Sequence, residues 1–92
     1  MFVLVAQHPV EDYATWKAAF DKFPPSEGGG VFHRIHRMVS DPNTLTVVAG
    51  FESLEEAEAF AANPDLADTM EKGGVVGELR IEVYEQAEFV EY

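Results

Sequence analysis

The stretch VFHRIHRMVSDPNTLTVVAGF, residues 31–51, decides the architecture. Val31 to Ser40 reads as a strand, and Thr44 to Phe51 as another. Between them, Asp41-Pro42-Asn43 is a turn with a mechanism: Asp bonds its own backbone, Pro fixes φ and Asn tolerates unusual geometry. The centre of the chain is therefore a β-hairpin. Upstream of it, Tyr13, Trp16, Phe20 and Phe23 recur at spacings of three and four, which places them on one helical face. Asp12 is the N-cap of that helix, Glu11 and Asp12 suit its positive end, and Pro24-Pro25 ends it. Ser26-Glu27-Gly28-Gly29-Gly30 is a flexible loop. Farther upstream, Phe2 to Gln7 is a short apolar strand broken by His8-Pro9.

Downstream of the hairpin, Ser53-Leu54-Glu55-Glu56 is a capping box that opens a second helix. Leu54, Ala57, Phe60 and Ala61 form its buried stripe. Asn63-Pro64 stops it and starts a short helical piece carrying Leu66, Ala67 and Met70, which ends at Gly73-Gly74. Leu79 to about Tyr84 is the last strand, and Glu85 to Tyr92 is an extended tail. The order strand, helix, strand, strand, helix, strand predicts an α+β, ferredoxin-like βαββαβ fold. Its four-stranded antiparallel sheet carries both helices on one face.

Ninety-two residues suit one domain, 1–92. An apolar content of 47% with 12% aromatics excludes a disordered chain. Seventeen acidic against six basic residues leave a net charge of −11. An acidic protein of this kind repels phosphate backbones and anionic lipid, so neither nucleic acid nor a membrane surface is an expected partner. The absence of cysteine removes disulfides, thiolate catalysis and thiolate metal sites together. No stretch reaches the roughly 20 apolar residues of a membrane span. Met1 to Ala6 lacks the basic region of a signal peptide, and a cytoplasmic location is expected.

The uncovered sheet face is the informative feature. It should be polar in a monomer, yet the first strand is apolar at Phe2, Leu4 and Ala6 and also at Val3 and Val5. The third is apolar at Val47 and Ala49 and also at Val48. A second copy of the chain, packing sheet against sheet about a two-fold axis, is the economical cover. A homodimer is expected.

These residues resemble the dimeric α+β barrel superfamily, which holds the antibiotic-biosynthesis-monooxygenase-like proteins, small polyketide cyclases and Dabb-like proteins. The likeness is carried by His8-Pro9-Val10-Glu11-Asp12-Tyr13-Ala14-Thr15-Trp16-Lys17, Phe20-Asp21, Arg37, Asp41-Pro42-Asn43 and Phe51-Glu52-Ser53. It continues through Ala57-Glu58-Ala59-Phe60, Pro64, Leu66, Met70 and Gly74-Val75-Val76-Gly77. The resemblance implies a small enzyme that works without cofactor on an aromatic or polyketide-like molecule, by oxygenation, cyclisation or isomerisation. The alternative is a non-catalytic dimeric module for ligand binding or interaction.

Alternation along the second strand separates Phe32, Arg34, His36 and Met38 from Val31, His33, Ile35, Arg37 and Val39. His33 and His36 thus point to opposite faces, which excludes a metal site built on their H-x-x-H spacing, and no metal is expected. The Arg34–His36 face is assigned to the barrel interior, joined by Arg80, Glu82 and Tyr84 of the last strand and by His8 of the first. His36 and His8 are candidate general bases, with Arg34 and Arg80 as anion-stabilising groups. Trp16, Tyr13, Tyr84 and Phe32 are candidate pocket walls. Competing structural readings exist for each. The arginines suit an ion-pair network, His8 a half-exposed loop position, His36 the core rim, and Trp16 with Tyr13 the core. Arg37 is read as locking the hairpin by pairing with a carboxylate. Haem binding is disfavoured, since no histidine is placed as an axial ligand.

Overall fold

The computed structural model describes residues Met1–Tyr92. Its first strand, β1 (Phe2–Pro9), is apolar along most of its length and pairs on both sides, as a central strand must. Helix α1 (Tyr13–Phe20) begins at Asp12, whose carboxylate accepts from the Thr15 backbone N–H at 3.0 Å. The helix stops at Phe20, three residues earlier than the aromatic spacing suggests, so Phe23 reaches the core from irregular backbone. The glycine-rich loop is more ordered than its composition implies. Pro25–Gly28 forms a 3-10 turn, and Gly29 closes it at a left-handed φ of 92°.

Strands β2 (Phe32–Met38) and β3 (Asp41–Phe51) form the hairpin. Its turn is Val39–Ser40, since Met38 pairs with Asp41. Asp41-Pro42-Asn43 instead interrupts the ladder: the register jumps between Arg37, opposite Leu45, and Met38. A proline with no N–H to donate fits such a bulge better than a regular ladder position. Arg37 holds this bulge by a different bond from the expected one. Its Nε donates to the Pro42 carbonyl at 2.9 Å, and its guanidinium lies 4.3 Å from the Tyr13 ring centroid.

Helices α2 (Leu54–Ala62) and α3 (Pro64–Lys72) share one joint. Ser53 caps α2 through the Glu56 N–H at 3.1 Å. Asn63 ends α2 in extended backbone and caps α3 by accepting from the Asp65 N–H at 2.9 Å. Ala57 and Phe60 bury the inner face of α2, whereas Leu54 stays exposed. After α3, Gly74 turns the chain at a φ of 76°. The final strand, β4 (Arg80–Glu85), pairs with β1, and residues 86–92 continue without regular structure.

The sheet order is β2-β3-β1-β4, antiparallel throughout, with the three helices on one face. This is the ferredoxin-like α+β arrangement. The core lies between sheet and helices, where Leu45, Ala49, Phe51 and Ala57 are fully buried.

Candidate active site

Strand register settles which side chains share a face. Leu4 lies opposite Ala49, Ala6 opposite Val47 and His8 opposite Leu45, so β1 turns Leu4, Ala6 and His8 toward the helices. Arg34 lies opposite Val48 and His36 opposite Thr46, and both project from the uncovered face. Glu82 opposite Val5 and Arg80 opposite Gln7 put Arg80, Glu82 and Tyr84 on that uncovered face too. His8 therefore does not join Arg34 and His36, contrary to the expectation from alternation. Nor do the two charged groups on the open face converge within one chain. β2 and β4 are opposite edges of the sheet, three strand spacings or about 14 Å apart.

On the open face Phe32 lies across Gly50, where any Cβ would collide with its ring. The Arg34 guanidinium stacks 5.0 Å from the Phe32 centroid. Arg34 and His36 are exposed, as are Arg80 and Tyr84, and Arg80 meets only Glu82, at 3.5 Å. Val3, Val5 and Val48 form a half-buried apolar centre between these polar edges.

The helix side holds a small apolar cavity of about 40 Å³. Leu4, Ala6, His8, Val47 and Ala49 line it from the sheet; Trp16, Phe20, Phe23 and Phe60 line it from above, with Leu66, Thr69 and Met70 of α3. That space admits a few water molecules or a diatomic gas. His8 is its one imidazole, only 2% exposed although polar. It packs 5.8 Å from Trp16, which in turn lies 5.9 Å from Tyr13 and 5.0 Å from Phe20. Trp16 and Tyr13 thus gather with His8, and Phe32, Arg34, His36, Arg80 and Tyr84 lie across the sheet from them. Phe20, Phe23, Leu66, Thr69 and Met70 are not among the site residues the sequence suggests; the aromatic spacing places Phe20 and Phe23 on the buried helical face.

His8 Nδ1 is buried without a hydrogen-bond partner. An orphaned buried polar atom costs about 1–3 kcal/mol and calls for an explanation. Burial pushes the His8 pKa below its ordinary 6.5; an approach of the ring to the Pro9 carbonyl, too poor in geometry to count as a hydrogen bond, opposes this only in part. The ring is therefore neutral at pH 7 and able to accept a proton. The same shift makes stability depend on pH. Between the folded and unfolded pKa values the unfolded chain binds a proton that the native chain does not. This contribution is complete above 6.5 and declines as pH falls through that value. Thermal melts from about pH 8 to about pH 5 should show this acid loss, and His8→Gln should remove that part of it.

No three histidine or carboxylate side chains converge to hold a metal ion. No helix is long and apolar enough to cross a membrane.

No family model matches the sequence, and comparison with curated proteins returns no match. Solved structures are similar in fold. A candidate antibiotic biosynthesis monooxygenase from Deinococcus radiodurans superposes with a TM-score of 0.73 at 13% identity, covering 100% of this chain and 98% of that one. SnoaB, a cofactor-independent oxygenase from Streptomyces nogalater, gives 0.73 at 12% identity, covering 97% and 95%. A candidate antibiotic biosynthesis monooxygenase from Bordetella bronchiseptica gives 0.72 at 15% identity, covering 94% and 96%.

Proposed function

We propose, from the fold that this chain shares with the antibiotic biosynthesis monooxygenases, that it oxygenates a hydroxylated aromatic or polyketide-like molecule without metal or flavin. His8 is the base. The observation that carries this reading is its unpartnered ring nitrogen, buried in an apolar cavity. A neutral imidazole there accepts the phenolic proton, and the resulting electron-rich anion reduces dioxygen. The balance closes without another reductant. A CH2 carbon of the substrate loses two hydrogens and gains one oxygen atom as C=O, the second oxygen leaves as water, and the substrate supplies all four electrons. The apolar wall favours this step by excluding bulk water.

The working unit is a homodimer, with the Val3–Val5–Val48 centre of one open face packed on that of its partner. An apolar centre with a polar rim has the anatomy of a protein interface.

The test is oxygen uptake with 1,8-dihydroxyanthrone, which carries both phenols and a reactive methylene. The expected result is one dioxygen consumed per dione formed, faster than autoxidation and unchanged by a chelator. Binding without acceleration would overturn the oxygenase and leave a non-catalytic ligand-binding module. Conversion without oxygen uptake would instead identify a cyclase or isomerase using the same base.

A further inference from the structure

The His8 cavity is far too small for the rings of a polycyclic substrate, so most of such a ligand must lie elsewhere. A surface groove of about 720 Å³ runs between α1 and α3. That volume falls within the range of small-molecule sites, roughly 300–1,000 Å³. Ala14, Ala18 and Ala19 line it from α1, and Asp65, Asp68, Thr69 and Lys72 from α3. Phe23 and Thr69 belong to both the groove and the His8 cavity, so these two side chains are the partition between them. We infer that the α1–α3 groove is the outer half of the site, holding the body of an anionic aromatic ligand whose reacting end passes Phe23 and Thr69 to reach His8. The inference rests on the reading of His8 as the base and adds to it the route and the charge of the substrate.

Three observations support it. The unpartnered, buried His8 leaves a polar atom in the cavity wall, behind the partition, for a ligand group to meet. The partition also stands on lightly buried elements. Phe23 stands on irregular backbone, held by stacking on Phe60, and α3 has no fully buried residue. Elements with little buried surface open at the lowest cost. The rim pairs two carboxylates, Asp65 and Asp68, with two cations, so its charge is balanced and not negative like the rest of the surface. Two of the chain's six cations, Lys22 and Lys72, lie here, in a protein of net charge −11. Lys72 is engaged by Asp68 at 2.9 Å, whereas Lys22 has no ion-pair partner. An anionic group on the ligand would supply one.

The probe is anthraquinone-2-sulfonate, three fused rings with one anionic end. The reporter is Trp16, the single tryptophan, which lies in the cavity wall. Saturable quenching of its emission is expected in the unaltered protein. Lys22→Glu should weaken binding roughly fivefold. Ala18→Phe, filling the groove from an exposed helical position, should abolish binding while circular dichroism stays unchanged. Binding that ignores both substitutions and disappears in Arg34→Ala would put the ligand on the open sheet face and overturn the inference, as would an absence of quenching. Failure of the base reading looks different. In that case His8→Gln leaves turnover intact, while Lys22→Glu and Ala18→Phe still weaken the probe.

Discussion

Replacing His8 with glutamine should lower turnover by roughly 10²–10⁴-fold, the usual contribution of a positioned general base. Glutamine keeps a polar group at the position but cannot take up a proton at neutral pH. The loss should fall on kcat, because proton abstraction belongs to the reaction step and Trp16, Phe20 and Met70 still form the apolar wall. Folding should survive, and the acid sensitivity of the melting temperature should diminish in the same variant. His36→Ala and Arg34→Ala are the decisive comparison. Both side chains are exposed on the opposite face of the sheet, so each should retain turnover. If they abolish it while His8→Gln does not, the reaction takes place inside the barrel between two sheets, and the helix-side cavity is only a packing feature.

Val48→Asp should convert a dimer of twice 10.2 kDa into a folded monomer in sedimentation at micromolar concentration. Val48 sits on the open face between Val5 of β1 and Arg34 of β2. A carboxylate there is solvated in a monomer but unpaired and buried between two sheets, at a cost of several kcal/mol. Its neighbour gives the contrast. Val47 is 5% exposed and faces the helices, so Val47→Asp places the same charge in the core and should prevent folding altogether. A wild-type monomer would refute the sheet-to-sheet dimer. A Val48→Asp protein that remains dimeric would move the interface to another surface.

Local chemistry was legible wherever a single residue satisfies a nearby backbone group. Asp12, Ser53 and Asn63 each cap the helix their sequence context suggests. The order of elements followed from these caps and from the apolar runs between them. Asp41-Pro42-Asn43 was legible as an interruption but not as a bulge, because a proline breaks a ladder equally well in a turn and within a strand. Helix α1 ended early for a related reason: aromatic spacing marks a buried face, and Phe23 reaches the same core without helical backbone.

The site was harder to read, and β1 shows why. Phe2, Leu4 and Ala6 make one apolar face and Val3 and Val5 the other, so alternation places His8 with Leu4 but does not tell which face the helices cover. Pairing with β3 decides it, since Leu4, Ala6 and His8 lie opposite Ala49, Val47 and Leu45, beneath α1 and α2. The order β2-β3-β1-β4 likewise separates Arg34 and His36 from Arg80 and Tyr84, although each set is correctly grouped along its own strand. By itself, then, the sequence determined the elements, their caps, the ferredoxin-like order and the two-sided apolar sheet, all of which depend on residues a few positions apart. Tertiary structure alone decided that His8 is buried with Trp16 and not beside His36. That choice rests on contacts between strands far apart in the chain, and period-two alternation carries no information about which face is covered.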